Sequence, residues 1–247
     1  KPKFKKTYMG VFPNVNSAMT AVFKSLASGA NPVAMEFLDS LVIKALKQKF
    51  PQVSLPENAG GILIGDVDAS SEAEIDEQLN ILKESFKENG SIDFIVALDE
   101  EEGKKLWFAR RNASPATMVY GTKKLNEDIS VPRSKLPEAL DEIYKICEKY
   151  GFQVPCFGHA GDGNIHVNVM VKDKTNEKEM AEGHKAIEEI FQLVVDMGGT
   201  LSGEHGIGIS KAPFMNIAFT EAEMNLFRNI KKAFDPNNIL NPFKMGL

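Results

Sequence analysis

The chain has 247 residues, 43% hydrophobic and 26% charged, which is ordinary globular composition and enough for one large or two small cores. That excludes a peptide, a collagen-like chain and a wholly disordered one. The formal charge of −5, from 29 Lys+Arg against 34 Asp+Glu, supplies no basic footprint for a phosphate backbone, so nucleic acid is not an expected partner.

In chain order, residues 7–12 read as a strand and residues 14–28 as a helix opened by Asn or Ser and closed at Gly29. Residues 32–50 carry Met35, Leu38, Val42, Ala45 and Leu46 at helical spacing, and residues 60–68 form a β-rich apolar run. A long charged helix over residues 71–89 stops at Asn-Gly, and residues 92–98 resume as a strand. The second half opens with a short strand over 128–132 and a helix from Ser134 or Leu136 to Tyr150. A tight hairpin within residues 154–171 and a helix over 177–197 follow. Each half thus repeats a strand, helix, strand pair and helix. The expectation is an α+β fold of two ferredoxin-like split-βαβ layers with antiparallel sheet, in halves of about residues 1–100 and 125–215. A carboxy-terminal helix over residues 221–234 and a Pro- and Asn-rich tail complete the chain.

Cys147 and Cys156 are too few for a disulfide scaffold and lack CxxC spacing, which fits a reducing, cytoplasmic setting and a structural role for both. No apolar run reaches the roughly 18 to 20 residues that span a bilayer, so no transmembrane segment is expected. The chain opens on KPKFKKTYMG, with no initiator Met and no signal-peptide core, which points to an amino-terminal truncation.

The strongest signal is histidine clustering. Three of the four histidines lie in two glycine-dense segments, residues 158–169 and 198–208. With residues 161–164 as a four-residue hairpin loop, His159 stands opposite His166 on one face, Cβ atoms about 4.5–5.5 Å apart, close enough to share a divalent cation. Alternation puts Asn168 and Met170 on that face and Ile165, Val167 and Val169 on the other. The alternative is a hairpin whose imidazoles satisfy only each other or solvent. In the second segment Glu204 and His205 sit between glycines; two histidines and a carboxylate make an open metal shell, with Glu204 as third ligand and His205 as a nearby base. Alternatively, that segment is a polar loop. His184 lies on a charged helix and reads as solvated. Neither glycine string matches GxGxxG in a strand-turn-helix setting, and GxxxxGK[ST] and GxSxG are absent. Only Arg110, Arg111, Arg133 and Arg228 could grip a carboxylate bidentately.

Taken in order, HAGDGNIHVNV, SGEHGIGISK and FDPNNILNPFKM, with NPVAMEFLD, LWFAR and EDISVPRSKLPE, resemble the carboxy-terminal domain of FAD-linked oxidases of the vanillyl-alcohol-oxidase superfamily. Within it the glycolate oxidase and D-lactate dehydrogenase flavoprotein subunits look nearest, with D-2-hydroxyglutarate dehydrogenase a relative. The resemblance covers essentially the whole chain and implies a substrate-binding cap domain whose amino-terminal FAD domain is absent from this chain. It implies that His159, His166 and Glu204 hold a divalent ion, often zinc, that His205 is the general base, and that Arg110 of W-x-x-R binds a substrate carboxylate beside Asn168. Asn241 and Lys244 of the terminal NPxK would lie toward the flavin, although Phe243 replaces the usual glycine there.

The function this implies is FAD-dependent oxidation of a D-2-hydroxy acid, glycolate or D-lactate, to the 2-oxo acid. An iron–sulfur or electron-transfer subunit is the implied partner, with any membrane contact peripheral and made through it. The residues match that chemistry: a cation for the carboxylate, an electrophile at the hydroxyl, a base for its proton and a hydride acceptor. The competing reading is a non-catalytic metal-binding or docking module.

Overall fold

The computed structural model describes residues 2–247. Its strands are β1 (Phe4–Phe12), β2 (Ala34–Asp39), β3 (Gly61–Ala69), β4 (Asp93–Val96), β5 (Lys123–Ser130), β6 (Cys156–His159) and β7 (Asn164–Val171). Between and after them run α1 (Val15–Ala27), α2 (Ser40–Lys49), α3 (Glu72–Glu88), α4 (Glu100–Arg111), α5 (Ala113–Ala116), α6 (Leu136–Lys149), α7 (Glu177–Asp196), α8 (Met215–Ala218) and α9 (Glu221–Phe234). Most of the longer helices start at a side-chain cap: Asn14, Asp39, Ser71, Asp99 and Asn176 each accept from a backbone N–H three residues on, and Thr220 with Glu223 forms a capping box.

All seven strands belong to one sheet in the order β4-β1-β3-β2-β6-β7-β5, and every ladder is antiparallel. The first four strands have the split-βαβ order. In the second half β5, β6 and β7 repeat it, and the place of a fourth strand is taken by a single bridge from Thr200 to Ser130. The halves are therefore joined edge to edge, where β2 pairs with β6 through Glu36↔His159, Phe37↔Gly158 and Leu38↔Phe157. Helices α1, α3, α6 and α7 bury Phe12, Phe37, Leu63, Ile129, Ile165 and Val167 on one face. On the other, α2, α4 and α5 close over Met9, Val11, Leu38, Ile62 and Ile64.

Two expectations need correction. Residues 32–50 are not one helix: 34–39 form β2, and α2 starts only after the Asp39 cap. A strand between two neighbours, covered on both faces, has no reason to alternate, so its burial mimics a helical pattern. The β6–β7 register is also displaced by two residues. Phe157 stands opposite His166, because a 3₁₀ turn over Ala160–Asp162 and left-handed Gly163 (φ 78°) make the connection. A displacement of two preserves the face, so His159 and His166 remain on the same side as diagonal neighbours.

No helix among the described residues is long and apolar enough to cross a membrane. Cys147 and Cys156 are both buried free thiols.

Candidate functional site

On the α2–α4 face, the sheet turns polar where its halves meet. Alternation aims Glu36 from β2, His159 from β6, Asn164, His166 and Asn168 from β7, and Asp128 from β5 to that side. Asp128 is directly opposite His166. The His159 and His166 rings lie edge to face with centroids 5.5 Å apart, and His205 stacks on His166 at 5.3 Å.

Helix α4 reaches this face through two side chains one turn apart. Trp107 donates its indole N–H to Asp66 at 2.9 Å, and Arg110 donates Nε–H to Glu36 at 2.7 Å with its guanidinium over the Phe157 ring. The other Glu36 oxygen is 2.6 Å from His159 Nδ1. One buried carboxylate thus joins Arg110 to His159.

The Ser202–Gly206 loop supplies the rest, and Asp128 holds it. Asp128 Oδ2 accepts from Ser202 Oγ and from the backbone N–H groups of Gly203, Glu204 and His205, at 2.8–2.9 Å, while Oδ1 accepts from Asn164 Nδ2. Gly203 is required because a Cβ there would overlap the Asn164 amide. Beneath the loop, buried Lys211 donates to the Asp128 and Leu201 carbonyls at 2.6 Å each and lies over the Phe191 ring.

This packing sets the charges. Burial alone would raise the Asp128 carboxyl, but hydrogen bonds from the His205 and Glu204 backbone, Asn164 and Ser202 outweigh it and hold it well below the usual carboxylate range. For His166, burial and then the charges of Arg110 and His159 push the imidazole down to about 4, so it is neutral at pH 7. His159 is lifted above the ordinary histidine value, chiefly by its hydrogen bond to Glu36.

A family model described as FAD linked oxidases, C-terminal domain, matches residues 1–245. The chain belongs to this family. It is 33% identical over 245 residues to the glycolate oxidase subunit GlcD of Bacillus subtilis (strain 168), covering 99% of this chain and 52% of that protein. A D-lactate dehydrogenase of Anaerostipes hadrus is 30% identical over 240 residues, covering 95% and 50%. The chain spans about half the length of these curated relatives. Among solved structures, p-cresol methylhydroxylase with substrate bound matches with a TM-score of 0.70 at 14% identity, over 100% of this chain and 53% of that one, a likeness of fold.

In this FAD-linked oxidase domain, the donor set suits a divalent metal. His159, His166 and Glu204 offer ligand atoms within 4.8 Å of one another. His159 Nε2 and His166 Nε2 are 3.1 and 3.5 Å from Glu204 Oε1, near the roughly 3.3 Å between two ligands of a tetrahedral zinc ion. A second grouping, Asp128, His166 and His205, also converges, but Asp128 Oδ2 already accepts four hydrogen bonds. His205 is half-exposed beside the first set, its Nδ1 4.0 Å from Asp128.

Not every expected residue reaches this cluster. Asn168 is fully buried, its amide donating to the Pro155 and His166 carbonyls and accepting from Asn126, so the fold has taken up the group expected to meet a carboxylate. Asn241 and Lys244 are exposed on the tail, which the Met245 N–H ties to the Gly208 carbonyl of the SGEHGIG loop at 2.7 Å. Phe243, where the motif usually has glycine, adopts φ 68°, a left-handed value that glycine takes without strain. Glu36 and Asp128 were missed as site residues. Glu36 had one signal, a carboxylate among the apolar residues Met35, Phe37 and Leu38, whereas Asp128 follows Glu127 in a polar stretch and had none.

Proposed function

We propose that this chain binds the substrate and the catalytic metal in an FAD-dependent dehydrogenase that oxidises a D-2-hydroxy acid, glycolate or D-lactate, to the 2-oxo acid. The observation that carries this reading is the convergence of Arg110 and the His159, His166 and Glu204 set on one sheet face, with a half-exposed histidine beside them. Arg110 receives the carboxylate. His166, neutral at pH 7, and His159 through Nε2 present lone pairs on the Glu204 side. His205, half-exposed beside the ligand set, takes the proton of the 2-hydroxyl. When bound, a divalent ion, zinc first, supplies Lewis acidity to the hydroxyl and FAD supplies the hydride acceptor.

We assign Asn241 and Lys244 to the flavin side. We assign this chain an electron-transfer partner, iron–sulfur or otherwise; the word subunit in the names of the GlcD relatives supports a partner chain. We place the protein in the cytoplasm, with any membrane contact made through that partner.

The test is turnover of the flavoprotein containing this chain on glycolate, D-lactate, L-lactate and D-2-hydroxyglutarate, with Arg110→Lys and His205→Gln alongside. Activity on a D-2-hydroxy acid, with Arg110→Lys raising KM and His205→Gln lowering kcat by about 10²-fold or more, is expected. A flavoprotein that turns over none of the panel, or both variants at wild-type rate, refutes the reading.

A further inference from the structure

Glu36 is 6% exposed and lies in the middle of the sheet, on the strand where the two halves meet. One oxygen faces His159 Nδ1 at 2.6 Å and the other accepts from Arg110 Nε at 2.7 Å. Each contact removes a degree of freedom from a group with a different task. A proton held on Nδ1 leaves Nε2 as the lone-pair nitrogen, which points toward Glu204. With Nε spent on Glu36, the Arg110 guanidinium keeps only its terminal pair, Nη1 and Nη2, for a second carboxylate. Among the described residues neither donates a hydrogen bond. The Phe157 ring lies beneath the guanidinium, its centroid 5.1 Å from Cζ.

We propose that Glu36 is a positioning residue that sets the separation between the metal ligand His159 and the carboxylate fork of Arg110, and thereby selects acids whose hydroxyl and carboxylate are on adjacent carbons. This rests on the metal and substrate reading above. The two oxygens of one carboxylate are about 2.2 Å apart, so neither site can shift along the sheet without straining the other. A 3-hydroxy acid, one carbon longer between the groups, fits the two sites together poorly.

The experiment is Glu36→Gln in this chain, with Glu36→Asp beside it and melting curves for both. Zinc affinity is measured by competition with a chromophoric chelator, and D-lactate and D-3-hydroxybutyrate affinities by calorimetry on the zinc-loaded chain. Side-chain ¹⁵N shifts of metal-free wild type and variants, near pH 8.5, report the His159 tautomer. Expected are zinc affinity down about 10- to 100-fold, a preference for D-lactate over D-3-hydroxybutyrate narrowed about tenfold, and loss of the Nδ1–H tautomer. A purely structural role would lower the melting temperature and leave the preference unchanged below it, which overturns the proposal. A wild-type His159 protonated on Nε2 alone overturns it without any variant, even where both variants fail to fold. Wild-type chain that binds zinc, with variants within threefold of it on every affinity, refutes the role of Glu36 and spares the metal reading. Wild-type chain that binds no zinc refutes the metal reading and the inference together.

Discussion

Replacing Asp128 with Asn tests how the loop bearing Glu204 and His205 is held. The carboxylate receives three backbone N–H groups and a hydroxyl on one oxygen and the Asn164 amide on the other, all donors. An asparagine amide must turn its NH₂ toward one of those sets, so a donor meets donors whichever way it flips. Hydrogen bonds to a buried charge contribute about 1.5–3 kcal/mol each, and breaking such a network costs about 3–5 kcal/mol, since the terms do not add. At about 1.4 kcal/mol per factor of ten, opening of the loop should become roughly 10²- to 10⁴-fold more frequent. Hydrogen exchange at the Gly203, Glu204 and His205 amides measures it directly. Their protection should fall by that factor while amides of α1 change far less. Because burial is outweighed and the carboxyl held low, the stabilisation is complete above the ordinary aspartate value near 4 and fades as pH falls below it. The contrast between wild type and variant should therefore be flat from about pH 5 to 8. Equal protection in the two proteins, or a contrast that vanishes at pH 7, would refute the reasoning.

Three further outcomes follow from the same geometry. His159→Ala removes one of the three proposed ligands and should abolish zinc binding by metal analysis; equal, negligible zinc in wild type and variant would sink the metal assignment. Zinc binding near neutral pH should release at most one proton, from His159, whose bond to Glu36 favours its charged form, and none from His166, already neutral. Calorimetry in buffers of different ionisation enthalpy counts the protons, and a count near two rejects the assignment. Gly203→Ala places a methyl on the buried Asn164 amide and should cost about 1–3 kcal/mol in urea unfolding together with most of the zinc affinity. A variant within 0.5 kcal/mol of wild type, roughly the range of a neutral surface change, contradicts it.

Much of this was legible from local pattern. The hairpin histidines, their shared face and the glycine-bounded Glu204 and His205 follow from alternation and turn chemistry over a dozen residues. Strand β2 was hidden because a strand packed on both faces carries no period-2 signal. The hairpin register escapes local pattern because the 3₁₀ turn and Gly163 set the connection at 160–163, one residue earlier than 161–164, and only the side-chain face survives. Glu36 and Asp128 were out of reach for another reason. Their partners are 123 residues away at His159 and 74–77 away in the 202–205 loop, and such pairings depend on which strands become neighbours. Asn168 shows the converse: a residue at a motif position whose amide the fold uses for itself.

The join between β2 and β6 bears on how the protein could be divided. Glu36 and Arg110 come from one side of it, and His159, His166 and Glu204 from the other. A break in the connection near Gly121, between α5 and β5, would leave fragments that each lack part of the metal and carboxylate apparatus. The three proposed metal ligands all stay on the second fragment, so binding of a carboxylate, which takes Arg110 from the first piece, would report reassociation and make the chain a natural scaffold for a split complementation sensor.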